Sequence, residues 1–318
     1  MQETQSEDKG SDPPSVLITG GSGLIGRYLT SALLEKGYRV SHLSRKLTHN
    51  NNVRVFQWAP EKGILDPSVM DGVDFIIHLS GANIGEKRWT KRRKEEIVNS
   101  RVDSARLLFK TLARNNTKLK AFISASAIGY YGAITTDKVF NENDPPASDF
   151  LGITCRLWEE GADLFGNSGV RCVKIRTAVV LEKSDSALAK LMAPARFGFL
   201  LQTGKGSQYM PWIHIKDLVN IYLKAIEDQN MRGPYNAVSP EHVTQKEFIK
   251  TLAFVMKRRV FPIPVPSFVL RIVLGEMSDV VLKGSRVSSE KILNSGYHFN
   301  FRNLEKALRN VIYSQVEL

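Results

Sequence analysis

The segment Ser15–Thr19 (SVLIT) is a short, unbroken apolar run that stops on GGSGLIG, and a helical pattern opens inside those glycines. A run without alternation reads as a strand covered on both faces, because a strand with one wet face would alternate apolar and polar residues. From Leu24 onward Ile25, Leu29 and Leu33, with Tyr28 and Ala32, hold one helical face, and Gly37 stands where the helix would be capped. A backbone that turns sharply from strand to helix needs glycine. A side chain near Gly23 would also block an anion from the open N–H groups of the helix. The turn made by Gly20, Ser22, Gly23, Leu24, Ile25 and Gly26 therefore reads as a cradle for the diphosphate of a dinucleotide.

Further strands are expected at 39–43, 53–58, 73–79, 121–126 and 170–181, with helical patterns near 100–115 and 155–166. This alternation implies an α/β fold, a doubly wound parallel sheet with helices on both faces. Beyond Leu181 the rhythm loosens. MPWIHIKDL leads into a helix at about 217–227, residues 235–238 could add a strand, and the tail has helices separated by FPIPVPSF. The expected division is a disordered lead-in at 1–14 and a nucleotide-binding domain at 15–183 with about 210–240. A smaller, mainly helical C-terminal lobe would take 184–209 and 241–318.

Composition narrows the function classes. Of 318 residues, 42% are hydrophobic and 24% charged, which excludes disordered and coiled-coil chains. The apolar stretch 260–270 carries Pro262, Pro264 and Pro266, no run reaches the length of a spanning helix, and no membrane partner is expected. Two cysteines, Cys155 and Cys172, build neither a disulfide framework nor a Cys-rich zinc site and favour a reducing, cytoplasmic setting. Six histidines show no metal-ligand spacing, so no metal is expected. The net charge of +12 predicts attraction to anions: phosphorylated cofactors, acidic substrates or nucleic acid.

The strand at 39–43 ends in Ser44-Arg45-Lys46. An acidic residue there would suit a ribose hydroxyl, whereas Arg45 offers a planar guanidinium to a 2′-phosphate, so the expected cofactor is NADP(H). At the end of the strand 73–79, Leu79, Ser80, Gly81 and Ala82 are mostly small and would let a ribose pass close to the backbone. KRWTKRRK (87–94) packs six cations around Trp89, but its neighbours Glu86, Glu95 and Glu96 make a solvated helix face the plainer reading. Nucleic acid is not the expected partner; a small-molecule substrate is, and self-association is left open.

TGGSGLIG resembles the TGxxGxxG turn of extended short-chain dehydrogenases/reductases. LSR after the second strand, SASAIGYYG, CRLWEE, MPWIHIKD, LKGSRVSSEKIL and GYHFNF together resemble an atypical branch, the epimerase family proteins of the SDR39U1-like and YfcH-like type. The resemblance spans most of 15–310. It implies that Leu79 to Ala82 line the cofactor, that Arg101 occupies a cofactor-facing position, and that Pro211-Trp212-Ile213-His214 joins the core to the substrate lobe. Trp212 and His214 are then expected to border a substrate cleft, although a satisfied hinge histidine is the plainer account of His214.

The family's catalytic Ser and YxxxK pair are not found. Alignment places Ala127, Leu151 and Cys155 at those three positions. Ser126 and Tyr131 become the catalytic candidates and Tyr130 a substrate contact, because all three lie at the carboxyl end of a strand, where open α/β sheets hold ligands. Tyr131 could equally pack its ring and satisfy its hydroxyl locally. Three readings follow: an NADP(H)-dependent oxidoreductase or epimerase-like enzyme, a catalytically quiet NADP(H)-binding sensor or scaffold, and an RNA-binding member of the fold.

Overall fold

The computed structural model describes residues 12–47, 52–115, 117–257 and 261–314; most of the expected lead-in lies outside them. In chain order the first half contains β1 (Ser15–Thr19), α1 (Leu24–Glu35), β2 (Arg39–Ser44), β3 (Arg54–Ala59), β4 (Ile64–Leu65), β5 (Phe75–His78), α2 (Lys91–Arg114), β6 (Ala121–Ala127), β7 (Val139–Phe140) and α3 (Phe150–Asn167). The second half contains β8 (Arg171–Thr177), β9 (Val179–Leu181), α4 (Ala187–Met192), β10 (Phe199–Thr203), β11 (Trp212–His214), α5 (Ile215–Glu227) and β12 (Gly233–Ala237). It continues with α6 (Gln245–Val255), β13 (Phe261–Val265), α7 (Ser267–Leu274), α8 (Asp279–Leu282), β14 (Arg286–Val287), α9 (Glu290–Asn294) and α10 (Leu304–Tyr313).

Eight strands form one sheet in the order β12-β8-β6-β5-β1-β2-β3-β4, parallel except for the β3–β4 edge. The order reverses between β1 and β5, which opens a crevice at their carboxyl ends. Successive residues of β1 show why its run is wholly apolar. Val16 and Ile18 pack with Leu29 and Leu33 of α1 and with α5 on one face; Leu17 packs with Leu108 of α2 and Phe165 of α3 on the other.

The stretch 170–181 departs from the single expected strand. It serves two sheets: β8 lies beside β6 and β12, and after Ala178, β9 turns to pair with β11. α2 begins nine residues before the pattern suggested, because its first turns (KRRKEE) are polar and carry no apolar period; Thr90 caps it by accepting from the Arg93 N–H at 3.2 Å.

A second core gathers Leu188 of α4, Leu200 of β10, Trp212, Phe248 and Leu252 of α6, and Leu304 and Leu308 of α10. The tail is not given over wholly to this lobe: Val287, Ile292, Tyr297 and Phe299 pack into the core of the main sheet. The proline-rich FPIPV segment is β13, paired in parallel with β10. Its prolines alternate with the residues that face β10 for hydrogen bonding, so their missing N–H groups fall on the open edge.

Candidate functional site

The glycine turn joins β1 to α1 at the sheet's switch point. Gly20 adopts a φ of +71° and approaches the Leu79 and Ser80 backbone, where an added Cβ would lie 3.2 Å from the Leu79 carbonyl carbon. At Gly26 an added Cβ would strike the Gly20 carbonyl oxygen at 2.5 Å, so only glycine lets α1 pack against its own turn. Gly23 is the N-cap residue, and neither a side chain cap nor a carboxylate occupies the first turn of α1. The open N–H groups and the positive end of the helix dipole are thus free to meet an anion. Ser22 and Gly23 are exposed, and Leu24 and Ile25 are partly so.

The opposite wall of the crevice is held by Thr19, whose hydroxyl accepts from the backbone N–H groups of both Leu79 and Ser80 at 3.1 Å. Ala82 N–H donates to Ser100 at 2.9 Å. Arg101 reaches the same segment from behind, donating to the carbonyls of Ala82 (3.1 Å) and Ile97 (2.8 Å) with its guanidinium over the Trp158 ring. An added Cβ at Gly81 would touch that guanidinium. Burial pulls Arg101 down to about 10, still cationic at neutral pH. At the tip of β2, Arg45 is exposed, and among the described residues its guanidinium has no hydrogen-bond or ion-pair partner; Ser44 accepts from Lys46 N–H. The three glycines, Ser22, Leu24, Ile25 and Leu79 to Ala82 therefore stand about one crevice, with Arg45 at the end of the adjoining strand; Arg101, expected to face the cofactor, is instead buried behind Gly81 and Ala82 and spends its donors on backbone carbonyls.

Ser126 and Tyr131 are brought together, inside a buried network. Ser126 donates to Glu159 at 2.7 Å, and Glu159 receives two bonds from Arg176, at 2.8 and 2.9 Å. Arg176 also donates to the Tyr131 hydroxyl at 2.9 Å, and that hydroxyl donates to Asn236 at 2.8 Å. Burial opposes charge on Arg176, but the bonds and charge of Glu159 hold its guanidinium above the usual arginine range. Burial pushes the Tyr131 phenol up to about 12. Tyr130 is partly exposed, and its ring lies 3.5 Å from the Arg176 guanidinium carbon. Leu151 and Cys155 both face Gly129 at the end of β6, and burial pushes the Cys155 thiol up to about 12. The helix face that would present a tyrosine and a lysine is thus apolar here.

Trp212 and His214, expected at a cleft border, lie elsewhere. Both are buried, Trp212 within the second core. His214 accepts from Lys216 N–H at 3.1 Å as the N-cap of α5, and its ring stacks on Phe301 at 3.7 Å. The reason is Asp217, fully buried, whose carboxylate accepts from Tyr297 (2.9 Å), from the Asn300 backbone and side chain (2.8 and 3.0 Å) and from Phe301 N–H (2.9 Å). The WIHIKD and GYHFNF segments are therefore each other's partners. Sequence reasoning passed over Asp217, Arg176 and Asn236; other polar residues share their elements, so no local signal marked these three as buried.

The basic segment is partly neutralised. Arg93 is buried and pairs with Glu86 (3.0 Å) and Glu96 (2.8 Å), while Lys94 pairs with Glu276. The Trp89 indole donates to the Ile84 carbonyl and stands edge-on to Phe150.

A doubly wound sheet with a glycine turn at its switch point and a second lobe behind it defines the extended short-chain dehydrogenase/reductase class. Residues 16–150 match the NAD dependent epimerase/dehydratase family, and residues 265–311 match a domain of unknown function, DUF1731. The chain is 35% identical over 301 residues to epimerase family protein YfhF of Bacillus subtilis, covering 94% of this chain and 98% of that one. Identity to epimerase family protein SDR39U1 of Homo sapiens is 33% over 301 residues, covering 93% and 99%. The crystal structure of human SDR39U1 (isoform 2) with NADPH superimposes with a TM-score of 0.84 at 31% identity, over 93% of this chain and 98% of that one. A nucleoside-diphosphate sugar epimerase from Corynebacterium glutamicum superimposes at 0.77 with 30% identity, over 96% of this chain and 59% of that one. The chain therefore belongs to the NAD-dependent epimerase/dehydratase family, among the epimerase family proteins that carry a DUF1731 region.

Proposed function

We propose that the protein is an NADP(H)-dependent oxidoreductase or epimerase-like enzyme acting on a small molecule, with the dinucleotide laid across the β1–β5 crevice. The observation that carries this reading is the uncapped amino end of α1, where glycine is sterically required and no carboxylate stands in the helix's own first turn. NADPH in the human relative supports it. Arg45 favours a 2′-phosphate over a 2′-hydroxyl, because a guanidinium gains a charge-assisted bond from the former. When bound, the reduced nicotinamide supplies a hydride. Tyr130 is the phenol open to a substrate at the end of β6. Ser126 and Tyr131 stand behind it, joined through Glu159 and Arg176, and proton transfer falls to this group because Leu151 and Cys155 supply none.

Calorimetry tests the reading. NADPH should bind the purified chain more tightly than NADH, and Arg45→Ala should weaken NADPH by about 10- to 100-fold, one charge-assisted contact, while leaving NADH nearly unchanged. The absence of heat with any nicotinamide would overturn it. The closed Ser126–Glu159–Arg176–Tyr131 network specifically favours a second reading, a catalytically quiet NADP(H)-binding sensor. Cofactor binding without NADPH oxidation across a broad metabolite panel would select that one.

A further inference from the structure

The outer end of the smaller lobe carries apolar side chains that no core accounts for. α7 buries none of its residues: Phe268 is 64% exposed, Ile272 70% and Val273 64%. Phe261 on β13 is 69% exposed, and Phe197 just before β10 is 67% exposed. The pairing of β10 with β13 sets Phe261 opposite Phe199, whose ring stacks on that of Phe197 at 6.2 Å. α7 follows β13 directly after Pro266. The Thr203 hydroxyl, at the end of β10, donates to the Val281 carbonyl and brings the exposed Val280 and Val281 to the same end. Scattered exposed apolar residues are ordinary, but a set supplied by four neighbouring elements marks a contact surface.

The unpaired charges described on this surface are of one sign. The described residues of 195–205 and 257–274 supply Arg196, Lys205, Lys257 and Arg271 and contain no carboxylate. Arg196 lies over the Phe197 ring at 4.6 Å. Glu276 and Asp279, just beyond, are already paired with Lys94 and Lys283.

We propose that this face docks the protein on an anionic lipid bilayer, with Phe197, Phe261, Phe268 and Ile272 entering the interfacial layer and the cations meeting headgroup phosphates. Aromatic and aliphatic groups combined with lysine and arginine are what the bilayer interface takes up, and neither contribution alone holds a protein there firmly. A second copy is a poorer occupant. A two-fold contact would set unpaired cations against each other, since the neighbouring carboxylates of Glu276 and Asp279 are taken by Lys94 and Lys283. Among the described residues no helix is long and apolar enough to cross a membrane, so the attachment is peripheral. The expectation of no membrane partner rested on the lack of a spanning run, which docking does not need.

Vesicle flotation with the full chain provides the test. Protein should float with phosphatidylcholine vesicles containing phosphatidylglycerol, far less with phosphatidylcholine alone, and less again as salt rises. Phe268→Asp with Ile272→Asp should abolish flotation, and Arg196→Glu with Arg271→Glu should weaken it about tenfold or more. All four side chains are exposed and none belongs to the glycine turn or to Leu79–Ala82, so NADPH affinity and the melting temperature serve as folding controls. The proposal is overturned if the protein does not float with anionic vesicles, or if flotation survives Phe268→Asp with Ile272→Asp. It is equally overturned if light scattering finds concentration-dependent dimers that these two substitutions dissolve, since a second copy would then own the face.

Discussion

The methyl group that Gly21 lacks would lie 2.5 Å from the imidazole of His42, so the glycine turn rests on a ring carried by the neighbouring strand. Thr30 donates its one hydroxyl proton to the Gly26 carbonyl at 2.7 Å and must therefore accept from His42 Nε2 at 2.8 Å. That bond fixes the tautomer and ties β2, the turn and α1 together. Gly21→Ala should cost about 1–3 kcal/mol, the usual penalty for overpacking, and weaken NADPH binding. His42→Ala in the same chain should recover part of both losses. A double-mutant cycle on melting and cofactor affinity measures the coupling, and strict additivity would show that the ring does not support the turn. Gly20, Gly23 and Gly26 are legible in the sequence because their spacing carries the motif. Gly21 is not, since its constraint comes from a residue one strand away.

Among the elements, β6 with the turn after it, the middle of α3, β8 and β12 are joined by Ser126, Tyr131, Glu159, Arg176 and Asn236. Glu159 and Arg176 are both almost fully buried. Glu159→Ala should lower stability by about 3–5 kcal/mol in urea titrations, because Arg176 would be left charged and unpaired. Glu159→Met with Arg176→Met should be far milder, removing both charges at similar volume; an equally severe double variant would contradict this account. The main parallel strands of the central sheet and the helices α1, α3 and α5 followed from periodicity, since apolar runs and helical stripes are local properties. The division of 170–181 between two sheets did not, because Val179 to Leu181 are as β-branched and apolar as the residues before them, and only β11 draws them away. FPIPV hid its strand behind prolines that an edge tolerates.

For the molecule as a whole, buried histidines set the response to acid. Burial holds His78 down to about 3 and His214 down to about 4, and it lowers His42 as well. In the unfolded chain these rings would protonate near 6.5, so the unfolded state binds more protons as pH falls below that value. Their contribution to stability is therefore complete above about pH 6.5 and is lost progressively toward pH 4 and then 3. Urea midpoints should decline across that window, and His214→Asn should flatten the decline. A midpoint constant from neutral pH down to about 4 would argue that these rings are not held neutral.

Short-range pattern is sufficient for the parallel sheet, the glycine turn and the guanidinium at the tip of β2, because each depends on a few adjacent residues adopting one backbone shape. It is also sufficient to show that the Tyr and Lys of the usual pair are missing. Which polar residues face the crevice and which are locked in the interior depends on partners far along the chain. Asp217 finds Tyr297 and Phe301, and Tyr131 finds Arg176 and Asn236. A buried charge or hydroxyl must be satisfied by whatever the fold brings beside it, and that choice is made only when the layers close.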